Sequence, residues 1–550
     1  MSSAIERFEV LVRHGAIRGT FRIDEFLNAF QAMEPSLHRH CQDPGILDVD
    51  ALAYVSARLP ENVHRIREFL VQADVPDKLP GMAGIERVQT PARRRSTFHL
   101  GDDIVIIVAR EGVTELLDLV TLLTSYAIET YKVGSLLVDT PLLADLRRHL
   151  AGHRDQAGHN RLVARLAFQL GTTDDQLVRL DGLWNGELLD RVAHLVDHPP
   201  SLVVRLHRDY SIEAAIERSG QWARRIHEML EQRLSPGAPV HILSSNLYST
   251  VNLLSSFPRR EFDALWAWGR EHSSQRDLFA RAPDDPNARM NLVYLILGEW
   301  SAAYPEMAAQ RRRRDEEDGI LELEDVFHVG VNAQAVDLGR LDPGRVDPRL
   351  KLEPGRLADH PLLLNFDYAF GEQAGIVVEQ LFRHFSRRVE SFSIMGKAGI
   401  VVGDRGGVML PSYLLREGSK DVYDFPFGNF LDPGDFEGLD VGKVYSGGPM
   451  LTVLGTILQN DAMLLRYRDE WKILGLEMEG IPYIRALHQC RKLGFLREDL
   501  RVGVGYWASD APLRVGETLS HETALQGLNA TYAINIALLN GLLGARPVLP

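Results

Sequence analysis

The sequence predicts an α/β fold in its C-terminal part, preceded by a mainly helical region. Two observations support this. Up to about residue 330, apolar positions recur at helical spacing, whereas from about residue 355 short apolar runs alternate with an amphipathic helix. Alternation of this kind forms a sheet whose strands are joined by right-handed crossovers and covered on both faces. We therefore expect residues 1–330 to be a helical region of unknown function. Residues 331–550 are expected to form an α/β domain with a central mixed sheet flanked by helices.

The N-terminal region contains three stretches in which apolar side chains recur every three or four positions: residues 61–71, 162–180 and 212–234. One strand candidate, Asp103–Ala109, interrupts them and precedes a long apolar helix at Leu116–Tyr131. Breaks are predicted at Pro76–Arg95, which is rich in proline, glycine and arginine, and around Arg311–Asp318. The second of these carries charges of both signs, which is typical of a solvated helix face or a linker.

The C-terminal region is predicted element by element. Pro361–Phe366 is a strand candidate, and Glu372–Phe385 has the spacing of an amphipathic helix. Two more strands are expected at Ser391–Met395 and Gly407–Leu410, with a glycine-rich turn between them. The tail, Thr523–Leu543, is predicted to be a long helix that closes the sheet.

Composition excludes several classes of protein. The 550 residues are too many for one core and indicate two or three domains. The two cysteines, Cys41 and Cys490, cannot build a disulfide framework or a four-thiolate metal site. A formal charge of −14 argues against binding to a nucleic acid polymer. The chain lacks both a long apolar run and the features of a secretory signal, so we expect a cytoplasmic protein that does not bind a membrane.

Three short motifs carry the chemistry. They are Met395-Gly-Lys-Ala-Gly399, Glu477-Met-Glu479 and Ser509-Asp510, in that order. Both acidic motifs follow or lie in apolar, strand-like runs, so a carboxylate that holds sugar hydroxyls and an acid that protonates a base can reach one pocket. Cleavage of an N-glycosidic bond needs both, because its transition state resembles an oxocarbenium ion. Each motif alone is also common on exposed helices, at N-caps or in tight turns, so their joint occurrence is what indicates a site.

The order of these motifs resembles that of the nucleoside phosphorylase and nucleosidase superfamily. The form Ser-Asp-Ala-Pro-Leu at Ser509–Leu513 looks most like the AMP nucleosidase branch. The resemblance covers roughly residues 355–545 and implies a nucleoside phosphorylase-like α/β fold for this part of the chain.

The resemblance also implies roles for the acidic motifs. Glu479 would accept hydrogen bonds from the ribose 2′- and 3′-hydroxyls, and Met478 would pack under the sugar. Glu477 would act near the attacking water or the base. Asp510, preceded by Ser509, would donate a proton to the imidazole nitrogen of a purine. Partial burial at a strand end would raise the pKa of a carboxylic acid enough for that task.

The first motif and its neighbours would bind the rest of the substrate. Gly396 and Gly399 would allow backbone N–H groups to approach a phosphate or the ribose edge. Lys397 is unusual at its position and could bind a 5′-phosphate or free phosphate. Arg405 and Arg416 could do the same, and all three are equally compatible with surface charge.

One departure from the family pattern concerns the base. In Ser446–Met450 the residue Met450 stands where hydrolases of the family often carry phenylalanine. Stacking of the base could fall instead to Phe425 or Phe427.

The sequence therefore predicts an enzyme that cleaves the N-glycosidic bond of a purine nucleoside or nucleotide. The base, a 5′-phosphate on the substrate and the choice between hydrolysis and phosphorolysis stay open. No metal or redox cofactor is expected, although phosphate would be a co-substrate of a phosphorylase. Members of the resembled family form homo-oligomers, so the resemblance implies a homo-oligomer. The alternative is a protein that senses a nucleoside or nucleotide with the same fold and without turnover.

Overall fold

The computed structural model describes residues 2–75, 84–88, 90, 96–110, 114–152, 154–233, 235, 237–282, 284–419, 421–455, 458–514 and 524–544. The chain forms two compact units. The first comprises Met1–Ala215 and Leu454–Leu464, and the second comprises Ile216–Val453 and Leu465–Pro550. The division therefore differs from the expected boundary at residue 330, because strands between residues 240 and 337 belong to the second unit.

The helices of the described residues are α1 (Ser2–Arg18), α2 (Leu27–Gln31), α3 (Val49–Ser56), α4 (Thr114–Leu137), α5 (Pro141–Ala151), α6 (Gln156–Gln169), α7 (Asp174–Leu183), α8 (Leu188–Asp197), α9 (Ile212–Glu231), α10 (Leu247–Leu254), α11 (Phe257–Arg260), α12 (Phe262–His272), α13 (Arg276–Ala280), α14 (Pro286–Ala303), α15 (Pro305–Glu317), α16 (Pro354–Leu357), α17 (Glu372–Phe385), α18 (Asp461–Asp469), α19 (Gly480–Lys492) and α20 (Ala524–Leu543). Among these, none is long and apolar enough to cross a membrane.

The strands of the same residues are β1 (Thr20–Arg22), β2 (Glu68–Gln72), β3 (Arg87–Val88), β4 (Thr97–His99), β5 (Ile104–Val108), β6 (Val203–Leu206), β7 (Val240–Ser244), β8 (Ile320–Leu323), β9 (Ala333–Asp337), β10 (Leu362–Phe366), β11 (Val389–Ile400), β12 (Val408–Leu410), β13 (Tyr413–Arg416), β14 (Val422–Asp424), β15 (Val444–Ser446), β16 (Met450–Thr452), β17 (Gly475–Glu477) and β18 (Arg501–Asp510).

The first unit combines helices α1–α8 with a sheet of order β1-β6-β2-β5-β4-β3. Strands β6, β2 and β5 are parallel, and the outer pairs are antiparallel. The strand candidate Asp103–Ala109 is confirmed as β5. The helix expected at residues 61–71 is wrong, since only Val63–Arg65 form a short 3-10 turn and residues 68–72 form β2 between two other strands. Its apolar positions, Phe69 and Val71, alternate in a buried strand.

The second unit is built on a larger mixed sheet. Its main path is β14-β13-β16-β17-β11-β7-β10-β9-β8, while β18 pairs with β11 and β12, and β12 pairs with β15. The central strands β10, β7, β11 and β18 are parallel. Strand β9 runs antiparallel to β10, β8 runs antiparallel to β9, and β17 runs antiparallel to β11. The predicted class, an α/β domain with a mixed sheet, is confirmed.

Helices cover both faces of this sheet. One core holds Ile242 of β7 with side chains of α17 and α19, such as Val377 and Leu487. The other holds the next residue, Leu243, with side chains of α10, α14 and α20, such as Ile534. Successive strand residues point to opposite faces, so one strand contributes side chains to both cores. A sheet buried in this way leaves its strand ends as the places where polar side chains can meet a ligand.

Most C-terminal elements lie where the sequence predicts them. The helix Glu372–Phe385 is α17, the tail helix corresponds to α20, and Pro361–Phe366 contains β10. Residue Thr523 of the predicted tail helix lies outside the described residues. The expected turn after Met395 begins later than predicted, because β11 continues to Ile400. Gly396, Lys397 and Gly399 are therefore strand residues.

Candidate functional site

The two acidic motifs lie on opposite sides of one strand, β11. Gly399 of β11 is paired with Leu476 of the antiparallel β17 and with Asp510 of the parallel β18. Neighbouring strands are about 4.8 Å apart, so the backbones of Leu476 and Asp510 are separated by about 10 Å. Glu477 follows Leu476 directly. The sequence predicted adjacent strand ends, and the structure inserts one strand between them.

On one side of strand β11, a short segment lies between the ladder with β7 and the ladder with β17. On that side its pairing with β7 ends at Ile394, and its pairing with β17 begins at Gly399. Within the described residues, Met395–Ala398 have no ladder partner there, although β18 pairs with them on the other side. Those backbone groups of the Gly-Lys-Ala segment that point away from β18 therefore face the gap between the ends of β7 and β17, where a ligand can bind them.

Glu479 borders this gap at the N-cap of α19. It is half-buried and accepts hydrogen bonds from the backbone N–H of Met478 at 3.2 Å and of Gly371 at 3.4 Å. Burial, and then the neighbouring Glu477 carboxylate, raise the pKa of Glu479 to about 8, against the effect of Lys397. A large fraction of the ligand-free protein therefore carries a protonated Glu479 near neutral pH.

Glu477 has a different environment. It is 3 % exposed and accepts hydrogen bonds from the hydroxyl of Thr452 and from the backbone N–H groups of Glu479 (2.7 Å) and Gly480 (2.5 Å). The Thr452 hydroxyl in turn accepts from the N–H of Ile481 at 3.1 Å. Burial raises the pKa of Glu477 despite these donors. Its carboxyl group is engaged in capping α19, which differs from the role beside water that the resemblance implied.

Ser509 and Asp510 form a buried pair at the end of β18. The Ser509 hydroxyl donates to Asp510 Oδ2 at 2.6 Å, and the two residues are 5 % and 8 % exposed. Because the hydroxyl fixes one oxygen of the carboxyl group, the other oxygen keeps a defined direction. A carboxyl group with a fixed orientation is able to exchange a proton with a bound molecule.

The first motif packs under Tyr506. Gly396 is paired with Tyr506, and a Cβ at position 396 would lie 2.8 Å from the tyrosine ring. Glycine is therefore required here for close packing and not for a turn. Lys397 is exposed, Met478 is half-buried beside Glu479, and Gly399 joins the two acidic motifs.

Of the three residues that the sequence suggests near the base, two lie in the apolar core. Met450 is fully buried in β16, in the apolar core beneath the sheet, and presents no surface to a ligand. Phe427 is 78 % exposed with φ of +59°, while Phe425 is buried in the same core as Met450. Neither Met450 nor Phe425 can stack on a base in this arrangement.

Two arginines lie near Glu372. Arg416 is 4.0 Å from Glu372, and Arg485 also forms an ion pair with Glu372. Glu372 directly follows Gly371, whose N–H donates to Glu479. Arg416 was predicted as a phosphate contact, whereas Arg485 was not singled out. Arg405 lies in the loop between β11 and β12.

Three tyrosines lie around the gap, and sequence reasoning missed two of them, Tyr483 and Tyr368. The Tyr483 hydroxyl is 2.8 Å from that of Ser244 at the end of β7, and the Tyr368 hydroxyl lies 2.8 Å from the sulfur of Met395. The Tyr506 hydroxyl is buried and has no hydrogen-bond partner among the described residues; burial, and then the carboxylates of Glu477 and Glu479, raise its pKa. The available signal was that Ser244 and Tyr368 follow two apolar strand runs, whose carboxyl ends meet in a parallel sheet.

Among the described residues, no group of three or more His, Cys, Asp or Glu side chains could hold a metal ion. The polar groups at the gap are carboxyl, hydroxyl, guanidinium and backbone groups. Such a set can bind the hydroxyls of a sugar and exchange protons with a bound molecule.

These features define an α/β protein with paired acidic motifs at strand ends inside a mixed sheet. The chain belongs to DUF6909, a family of unknown function, whose model matches residues 23–544. None of the curated proteins compared with the chain matches it.

Solved structures give distant likenesses. One is the 5′-methylthioadenosine/S-adenosyl homocysteine nucleosidase of Campylobacter jejuni, with 11 % identity, a TM-score of 0.31, and coverage of 55 % of this chain and 98 % of that chain. Another is the corresponding nucleosidase of S. pneumoniae with a transition-state inhibitor, with 16 % identity, a TM-score of 0.28, and coverage of 44 % and 96 %. Likenesses this distant say nothing about what this chain binds.

Proposed function

We propose that this protein cleaves the N-glycosidic bond of a purine nucleoside or nucleotide, by attack of water or phosphate at the anomeric carbon. The observation that carries the proposal is the pairing of Gly399 with both Leu476 and Asp510, which sets the two acidic motifs on either side of β11. A separation of about 10 Å between their backbones suits a ligand that reaches from a sugar-binding to a base-protonating group.

Each group then has one task. Glu479, at the gap between β7 and β17, holds the ribose hydroxyls, and Asp510, oriented by Ser509, protonates the departing base. Protonation of the leaving group while the sugar is held lowers the barrier of an oxocarbenium-like transition state. Arg416 and Arg485, both beside Glu372, would attract a 5′-phosphate or a phosphate co-substrate.

The test is release of free base from a panel of adenosine, inosine, AMP and methylthioadenosine, each with and without phosphate. Release that requires phosphate identifies a phosphorylase, and release without it identifies a hydrolase. AMP as the preferred substrate would support the arginine pair as a phosphate contact. If none of these compounds yields free base at any pH between 6 and 9, the proposed reaction is wrong.

A second candidate function is sensing without turnover. The capping role of Glu477 and the burial of Met450 favour it, because both positions depart from the catalytic pattern of the resembled family. A sensor would bind a nucleoside or nucleotide from the panel and release no base from any of them. Binding measured by calorimetry beside the turnover assay separates the two functions.

The raised pKa of Glu479 predicts the pH dependence of riboside binding. Two sugar hydroxyls donate to the ionised carboxylate, so binding must remove the proton that Glu479 holds below a pKa of about 8. Affinity for a riboside should therefore rise roughly tenfold per pH unit from pH 6 towards pH 8 and then level off. Binding of the free base should not change over this range.

Variants of Glu479 provide the control. Glu479→Gln should bind the riboside weakly and with no pH dependence, and Glu479→Ala should weaken ribosides far more than free bases. Equal weakening of riboside and base would exclude a sugar role for this residue. A pH profile retained in Glu479→Gln would assign the titration to another group.

A further inference from the structure

A cavity separate from the gap at β11 lies on the face of the sheet that α14 and α20 cover in the second unit. It has a volume of about 470 Å³ and is bordered by the N-terminal part of α14, by α20 and by the loop around Asp440. Its lining combines polar side chains with apolar ones such as Ile536 of α20. The residues that bind or react at the proposed site do not line it. The cavity therefore calls for its own explanation.

A relay of amide hydrogen bonds lies in its wall. Asn291 Nδ2 donates to Asn529 Oδ1 at 2.9 Å, and Asn529 Nδ2 donates to Asp440 Oδ2 at 2.5 Å. A carboxylate oxygen can only accept, so Asp440 requires the amino group of Asn529 to face it. The oxygen of Asn529 must then face Asn291, which has to present its own amino group. Asp440 therefore fixes the donor-to-acceptor direction of both hydrogen bonds, which is the polarity of the relay.

This polarity leaves one acceptor without a partner. Asn291 is 2 % exposed, and its Oδ1 accepts no hydrogen bond from the described residues. A buried acceptor left unsatisfied costs about 1–3 kcal/mol. A ligand that brings an N–H donor to this part of the wall would remove that cost.

The charges of the cavity favour the same kind of ligand. Arg349 is ion-paired with Asp347 at 2.7 Å and contributes little net charge. Asp285 caps α14 by accepting from the N–H of Ala288 at 2.9 Å, and Asp440 receives the relay. In the described part of the chain neither Asp285 nor Asp440 forms an ion pair, so two carboxylates of the lining have no cationic side chain as a partner.

We propose that this cavity binds a short aliphatic cation that carries several N–H donors, such as a guanidinium or ammonium compound. One donor group pairs with Asp440 and Asn291, a second pairs with Asp285, and the carbon chain packs against the apolar lining from α20. The site does not depend on the reaction at β11.

The experiment titrates the full-length protein with agmatine, a four-carbon chain with a guanidinium and an ammonium group, by calorimetry at low ionic strength. Succinate, a four-carbon dianion, is the matched control ligand. Asp440→Asn removes the negative charge and no longer fixes the direction of the hydrogen bonds through Asn529 and Asn291. Agmatine should therefore bind at least tenfold more weakly. Glu437→Gln makes the same charge change at an exposed residue of the same loop outside the lining and should bind as the wild type does.

Saturable agmatine binding that is lost in Asp440→Asn and kept in Glu437→Gln establishes the site. The proposal is overturned if the wild type does not bind agmatine, if succinate binds as tightly, or if both variants lose affinity equally. Thermal melts of each ligand-free variant verify folding. Base release from the nucleoside panel is scored separately, so this site and the proposed reaction can fail independently.

Discussion

Replacing Asp510 by Asn is expected to lower turnover of a purine nucleoside by about two to four orders of magnitude, the range that a general acid contributes. Asparagine has the same shape and can still accept the hydrogen bond of Ser509, which donates to Asp510 Oδ2 at 2.6 Å. The variant should therefore fold and bind ligand as the wild type does. What it lacks is the proton for the departing base. Initial rates of base release, with binding measured separately, test this expectation.

A change of leaving group sharpens the test of Asp510. A purine methylated at N7 already carries a positive charge and can depart without receiving a proton. The Asp510→Asn variant should therefore recover much of its lost rate on 7-methylguanosine relative to guanosine, because only the second requires the acid. Equal impairment on both substrates would mean that Asp510 acts through the structure of the pocket. Unchanged turnover on guanosine would remove the acid role altogether.

Ser509→Ala is the matched control for a group that orients the acid. It removes the hydroxyl that fixes the carboxyl oxygen and leaves the acid itself in place. A loss of turnover smaller than that of Asp510→Asn is expected, with the same dependence on leaving group. A larger loss would indicate that Ser509 contacts the substrate itself.

The elements that sequence predicts best are those with local patterns. The helix Glu372–Phe385 is found at the same bounds in the structure, because its apolar face and its flanks define it without reference to the rest of the chain. The strand β10 and the helix α20 were recognised for the same reason. Apolar periodicity therefore identifies elements of this domain but not their neighbours in space.

Pairing between strands that are far apart along the chain could not be predicted from the sequence. Strand β7 lies about 150 residues before β11, in the part expected to be helical, yet it pairs with both β10 and β11. Its segment, residues 240–244, is short and wholly buried, and such a run is equally compatible with a helix or a turn. For this reason the domain boundary was expected at 330 and the end of β7 was not recognised as part of the site.

The candidate site shows the same limit on a smaller scale. Sequence motifs identified Glu479, Asp510 and the Gly396–Gly399 segment, and the strand ladders bring these segments together around β11. The motifs could not show that the carboxyl group of Glu477 is engaged in hydrogen bonds with Thr452 and the start of α19. Two glutamates separated by one residue have the same chemistry, and only the fold gives them different surroundings.

This difference between the two glutamates leads to the second large expected effect. Glu477→Ala should destabilise the protein by about 3 kcal/mol or more, because it leaves the Thr452 hydroxyl and two backbone N–H groups at the start of α19 without their acceptor. Glu479→Gln should instead preserve stability or raise it at pH 8, since it removes a carboxyl group whose ionisation burial opposes. Urea unfolding of both variants at pH 8, compared with the wild type, measures the contrast.

The contribution of Glu479 to stability changes with pH in a defined direction. Its folded pKa of about 8 lies above the ordinary value of 4.5, so the folded state holds the proton more tightly than the unfolded state. Stability from this group is present at low pH and is lost as the pH rises from 4.5 towards 8. The advantage of Glu479→Gln over the wild type should accordingly grow across that interval and disappear below pH 4.5.

Thr452→Val separates capping by Glu477 from catalysis by Glu477. It removes the hydroxyl that links Glu477 to the N–H of Ile481 while keeping the shape of the side chain. If Glu477 acts as a cap, the double variant Glu477→Ala, Thr452→Val should be less destabilised than the sum of the two single changes, because both remove one network. A Glu477→Ala protein as stable as the wild type but devoid of turnover would restore the role beside the attacking water, and the cap would then have to be supplied by other groups.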